Sequence, residues 1–172
     1  MNVQNGNGAA LRIENLSLAY HGQPILDDFN LSVQRGEHVV LIGPSGAGKS
    51  TLLRCILGFN HPCSGSIWIL NRKLDSATVW SLRPRIGYVQ QEADPGEGEV
   101  REILTRPFHY QANRQMEFPE KRVRDLFRRF RLSIDTLQKN LSDLSGGEKQ
   151  RVALVAALIL DRPIYLLDEI TS

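Results

Sequence analysis

Gly43-Pro44-Ser45-Gly46-Ala47-Gly48-Lys49-Ser50 matches the pattern G-x-x-x-x-G-K-[ST]. Three glycines in so short a loop let a backbone bend closely around phosphate oxygens. The loop lies between an apolar run and a helical pattern, so its free N–H groups and the helix N-terminus present positive potential to an anion. Lys49 is placed to reach the β- and γ-phosphates. The Ser50 hydroxyl suits Mg²⁺, and Thr51 can add a hydrogen bond to phosphate.

Leu166-Leu167-Asp168-Glu169 places two adjacent carboxylates at the end of a second apolar run. Successive strand residues point to opposite faces, so the two acids cannot share one buried face. At the carboxyl end of a strand they meet a ligand at the sheet's crevice. Asp168 suits Mg²⁺, bound directly or through water. Glu169 suits the general base that aligns an attacking water. Upstream, Leu144-Ser145-Gly146-Gly147-Glu148-Lys149-Gln150-Arg151 opens a helical pattern. Ser145 reads as the N-cap, and the glycines leave bare N–H groups, so the turn is a second anion site. One nucleotide has no obvious need of both sites in one subunit; two subunits head to tail would use both.

The elements that hold these residues follow from hydrophobic period. Residues 11–20 and 25–33 read as strands, with Gly22 and Pro24 marking the turn. Residues 37–42 read as a buried strand with both faces covered. Residues 49–57 form a helix closed by Gly58. Residues 66–70 and 85–90 are strand-like, and 91–98 form an acidic, glycine-containing loop. Val123, Leu126, Phe127 and Phe130 recur at helical spacing within 120–132. Residues 147–160 form another helix, stopped before Pro163, and 164–167 a second apolar strand. This order predicts an α/β fold with a parallel-sheet core and an inserted helical subdomain. The core would be 1–91 with 159–172, and the helical subdomain 92–158.

Composition narrows the class. The chain has 172 residues, 41% hydrophobic and 23% charged, the profile of one globular domain. The longest apolar run, residues 152–160, is far short of the roughly 20 residues of a membrane-spanning helix. The polar N-terminus lacks the regions of a signal peptide, so the expected compartment is the cytoplasm. A net charge of +2 does not by itself imply nucleic acid. Cys55 and Cys63 read as reduced thiols, Cys55 as a small buried hydrophobe. Trp68 and Trp80 read as core or packing residues rather than ligands. The basic residues of 120–132 read as a solvated amphipathic face diluted by Glu117, Glu120 and Asp125.

With these motifs in this order, the chain resembles the nucleotide-binding subunit of an ATP-binding cassette (ABC) transporter from about Leu11 to Ser172. Residues 43–50 resemble the family's Walker A motif, 144–151 its signature motif and 166–169 its Walker B strand. The resemblance implies a P-loop NTPase (RecA-like) core with an N-terminal antiparallel β part. It implies ATP and Mg²⁺ as cofactors. It places Tyr20 where an aromatic residue stacks on adenine. Gln91 takes the place of the Q-loop glutamine that contacts Mg²⁺ or water, with Gln90 the competing position. Glu169 takes the catalytic position, beside Gln91 and Lys49. The nucleotide-binding set is then Tyr20, residues 43–51 and residues 145–148; the metal set is Ser50, Gln91 and Asp168.

The resemblance also implies a mechanism. Two subunits would sandwich two ATP molecules between the Walker A loop of one and the signature turn of the other. Closure would drive a separate transmembrane permease at the inner face of the bacterial membrane. Residues 137–147, 168–172 and 106–108 are similar to subunits of the iron- or metal-export type, although most members carry proline where Ile170 stands. The family's D-loop and switch histidine do not follow Glu169: His21, His38, His61 and His109 all precede it. A chain truncated after Walker B, with the last part of the usual core missing, is the expectation. Two competing functions are a soluble ABC-type ATPase acting on nucleic acid and a non-hydrolysing nucleotide-binding fragment. Direct nucleic-acid binding is not expected, because the insert between Walker A and the signature is small.

Overall fold

The computed structural model describes residues 8–20, 22–90 and 96–168. They fall into two compact units, residues 1–86 and 87–172.

The first unit is built on an antiparallel sheet. β1 (Ala9–Tyr20) lies between β2 (Gln23–Gln34) and β3 (Ser64–Ile69), and β4 (Arg72–Lys73) extends the far side. Strand alternation explains which face is buried, with one interruption. Leu11 and Ile13 point inward, then Leu16 and Leu18 do, so the period shifts by one residue. Asn15 takes φ 49° there, and the pairing of β1 with both neighbours is irregular at the same place. An extra residue in one strand is what moves the apolar set back to the core face. Ile67 and Ile69 of β3 pair with Ile13 and Leu11, completing this apolar layer. Across the edge, Trp68 donates its indole N–H to Glu14 at 3.1 Å while the Arg12 guanidinium lies 5.0 Å from its ring. Trp68 is thus a packing residue as expected.

α1 (Lys49–Ile56) buries Leu52, Leu53, Cys55 and Ile56. Burial pushes the Cys55 thiol up to about 11, so it stays protonated and inert near neutral pH. The short helix α2 (Val79–Leu82) follows. Arg83 donates to the carbonyls of Leu57 and Gly58, closing the C-terminal end of α1.

Two sequence expectations are corrected in this unit. Residues 37–42 do not form a buried strand: Val39, Val40 and Ile42 are 43%, 78% and 93% exposed, and no strand pairing involves them. Apolar composition shows that a segment favours two covered faces, but a strand exists only where another strand offers N–H and C=O groups. None of the four strands of this sheet pairs with residues 37–42. Trp80 is also not a core residue: it is 75% exposed, with the Arg83 guanidinium 5.1 Å from its ring.

In the second unit, β5 (Ile86–Val89) pairs with β6 (Ile164–Leu167). The Tyr165 ring lies over Gly87, where an added Cβ would stand 2.6 Å from it. α3 (Val100–Thr105), α4 (Glu120–Arg129) and α5 (Gly146–Leu158) surround an apolar core. Val100, Leu104, Val123, Phe127, Val152 and Val155 are its most buried members. The basic face of α4 is partly committed to structure. Arg122 donates twice to the Leu158 carbonyl and pairs with Asp161 at 2.7 Å, capping α5. Among the described residues no helix is long and apolar enough to cross a membrane.

Candidate functional site

The phosphate loop is shaped by backbone. Gly46 and Gly48 take φ 80° and 83°, and the Ala47 N–H donates to Pro44 at 3.2 Å. Gly48 is required twice over. Its dihedrals disfavour an L side chain, and a Cβ there would stand 1.9 Å from Cγ2 of Ile25 on β2. It is also the N-cap of α1 and supplies no side-chain cap, and no acid lies in the first turn. The first N–H groups of α1 therefore receive nothing from a cap, and the helix dipole favours an anion there. Lys49 Nζ donates to the carbonyls of Gly43 and Pro44, both at 3.0 Å. These bonds fold the ammonium over the loop that precedes it. Pro44 and Ser45 are exposed, and Ser50 and Thr51 are half-buried in the first turn.

The signature turn is shaped by side chains. Ser145, the expected N-cap, accepts from the Glu148 N–H at 3.4 Å. Glu148 reaches back to accept from the Ser145 N–H at 2.9 Å and from its hydroxyl at 2.7 Å. This is a reciprocal capping box. The hydroxyl and N–H of Ser145 hold the Glu148 carboxyl below its ordinary value, with Lys139 and Arg151 adding attraction. Gly146 and Gly147 open α5, and the space around Gly146 is clear.

Asp168 is buried just past β6. Its N–H donates to Val89 at 2.9 Å, and Tyr88 donates its hydroxyl to Oδ2 at 3.4 Å. A buried carboxylate held by a strand end and a hydroxyl is a fixed oxygen donor. Among the described residues no group of three or more His, Cys, Asp and Glu side chains is placed to hold a metal.

The remaining expected site residues are reached only in part. Tyr20 ends β1 in register with Gln23. Gln90, exposed, follows β5. Gln91 and Glu169 lie outside the described residues. Three contributors were not anticipated from sequence. Ile25 sets the space at Gly48, Tyr88 contacts Asp168, and Arg151 projects toward Gly147. The S-x-x-E spacing of Ser145 and Glu148 is a readable sign of the capping box. Nothing local marks Ile25 or Tyr88, because their partners are distant in sequence.

The family model described as ABC transporter matches residues 26–172. The chain is 35% identical over 167 residues to the energy-coupling factor transporter ATP-binding protein EcfA1 of Enterococcus faecalis, covering 94% of this chain and 59% of that protein. It is 34% identical to the probable iron export ATP-binding protein FetA of Escherichia coli, covering 96% and 72%. Among solved structures it is similar to an ATP-binding cassette in a dimeric post-hydrolysis state bound to ADP and Pi. The TM-score there is 0.76 at 31% identity, over 94% of this chain and 74% of that one. The chain thus spans less than two thirds of the length of EcfA1. The antiparallel N-terminal sheet, the α/β P-loop fold and a family match over most of the sequence agree: the chain belongs to the ABC transporter family.

Proposed function

We propose that this chain is the ATP-binding and ATP-hydrolysing part of a membrane transporter, acting through ATP-driven dimerisation. The observation that carries the reading is the phosphate loop itself: a positive-φ backbone leading into an uncapped helix N-terminus, with Lys49 folded over it. In this reading residues 43–51 bind the triphosphate, and Lys49 neutralises charge on the outer phosphates. The signature turn, residues 145–148, contacts the nucleotide held by a second copy. Tyr20 stacks on the base. The Ser50 hydroxyl and the Asp168 carboxylate are hard oxygen donors, the type Mg²⁺ prefers, and Gln91 joins them. Bound Mg-ATP supplies the bond to be cleaved; Glu169 orients the attacking water and accepts its proton. The helical subdomain of this reading is 92–158, and the ATP-binding core is 1–91 with 159–172.

The partner is a permease on a separate chain, which places this one on the cytoplasmic face of a bacterial membrane. The dimeric cassette among the solved relatives supports the pairing of two copies. For the cargo we propose a metal, iron first, on the strength of the relative named for iron export and the similarity of residues 106–108, 137–147 and 168–172. The relative named for an energy-coupling factor, at nearly the same identity, supports only the coarser role.

The test is Mg-ATP binding and turnover beside Lys49→Ala and Glu169→Gln. Lys49→Ala should weaken binding by roughly 10–100-fold, the worth of one hydrogen bond to a charged group. Glu169→Gln should keep binding, lose turnover and accumulate ATP-bound dimers. Turnover unchanged by Glu169→Gln removes that residue from its role. Binding unchanged by Lys49→Ala overturns the reading of the loop.

A further inference from the structure

We propose that Glu148 is a placeholder for phosphate at the signature turn, and that Arg151 is the partner its carboxylate takes when Ser145 is released. The inference rests on the proposed contact between the signature turn and the nucleotide of a second copy; within that turn it gives the contact to residues 145–147 and a competing role to Glu148. It adds a positioning role for two residues and a cost that the nucleotide must overcome.

The geometry begins with one oxygen. Oε2 of Glu148 accepts from both the N–H and the hydroxyl of Ser145, at 2.9 and 2.7 Å. These are donors that a phosphate oxygen arriving at the start of α5 would use. The carboxylate and the phosphate therefore compete for the same Ser145 hydroxyl. They also repel each other if both stay. A neutral glutamine at the same position could accept the same bonds without that repulsion, so the negative charge matters.

The second half of the device is an unmatched donor. Nε of Arg151 is buried and has no hydrogen-bond partner among the described residues. A buried N–H without a partner is rare in a folded protein. Arg151 lies three residues after Glu148 on α5, the spacing at which helical side chains are neighbours. Its Nη1 lies 3.3 Å from where a Cβ on Gly147 would stand, so the guanidinium already covers the turn. Arg151 is also one of the charges that favours the ionised form of Glu148. The turn thus has two arrangements. In one, Glu148 holds Ser145 and Arg151 Nε is unmatched. In the other, Glu148 turns to Arg151, and the Ser145 hydroxyl and N–H face the phosphate.

The test is the Mg-ATP concentration at half-maximal dimerisation, read by sedimentation velocity for wild type, Glu148→Gln, Arg151→Met, the double variant and Lys49→Ala. Glu148→Gln should lower the midpoint and Arg151→Met should raise it, each by at least about threefold, the low end of coupling between contacting groups. In the Glu148→Gln background, Arg151→Met should lose its effect, because no carboxylate remains to be received. A purely structural role for Arg151 predicts additive shifts instead. Additive shifts, or a midpoint unmoved or raised by Glu148→Gln, overturn the inference. If Arg151→Met fails to fold, Arg151→Gln, which removes the cation but keeps a polar side chain of similar reach, replaces it, with the same non-additivity expected. The function reading fails separately: wild type that does not associate with ATP, or Lys49→Ala that associates like wild type, overturns that reading and this inference with it. Association lost in Lys49→Ala but indifferent to Glu148 and Arg151 overturns the inference alone.

Discussion

The phosphate loop and the signature turn both end at a helix N-terminus, and they reach it by opposite means. At the phosphate loop the backbone does the shaping: Gly46 and Gly48 sit at positive φ, and α1 has no side-chain cap. At the signature turn Ser145 and Glu148 cap α5 reciprocally, and α5 packs Val152 and Val155 into an apolar core. The first loop gives α1 no side-chain cap. The second ties the N–H and hydroxyl of Ser145 to its own carboxylate. An anion site can thus be left open by glycine or kept occupied by an acid. The second kind carries a cost of opening that the first does not.

Changes at each region should therefore fail in different ways. The largest effect is expected in the packing behind the signature turn. Phe127, almost fully buried, should cost about 3–5 kcal/mol of stability when replaced by alanine, from lost burial plus the cavity left behind. Urea unfolding followed by far-UV circular dichroism measures it. A loss below about 1 kcal/mol would mean that the core relaxes around the site, and that the contrast in support is weaker than drawn.

Gly48→Ala comes next and acts on the phosphate loop. Left-handed backbone costs an alanine roughly 1–2 kcal/mol, and the clash with Ile25 adds overpacking of about 1–3 kcal/mol. Mg-ATP binding, followed by calorimetry, should be lost along with that stability. The double variant Gly48→Ala with Ile25→Ala should recover part of the loss, since only the clash is relieved. Strict additivity of the two changes would show that Ile25 does not shape the loop.

Ser145→Ala should cost about 1 kcal/mol, the usual worth of an N-cap. It should leave ATP binding by a single copy within about twofold, because the phosphate loop is built without it. A large fall in single-copy affinity would erase the distinction between the two regions.

The smallest effect is a pH dependence. Glu148 has a folded-state value below its ordinary 4.5, held first by the Ser145 hydroxyl. Its contribution is fully present above pH 4.5 and is lost as pH falls through the lower folded value. The stability difference between wild type and Glu148→Gln should therefore be found near neutral pH and close on acidification. Urea midpoints that differ equally at pH 7 and pH 3 would remove the carboxylate from the cap.

Much of this was legible in the residues. The ends of α1 follow from the glycine-rich loop before it and Gly58 after it. The start of α5 follows from Ser145, and β6 from its apolar run. These are local signals, written within one turn of chain. The reading failed where the deciding partner was distant. Residues 37–42 have the composition of a buried strand, yet no described strand pairs with them and Val40 and Ile42 are exposed. Trp80 looked like a core residue by type, but Arg83 meets its ring at an exposed position.

By itself the sequence determined which chemistry the chain is built for, because phosphate-binding glycines, a lysine and a capping serine are needed at fixed short spacings. It also determined the period of β1, although not the shift at Asn15 that keeps Leu16 and Leu18 inward. Tertiary structure decided the rest. It brought Ile25 against Gly48 and the Tyr88 hydroxyl to Asp168. The physical reason is range: backbone dihedrals and caps are set by neighbours in sequence, whereas contacts and burial depend on which distant surfaces the fold brings together.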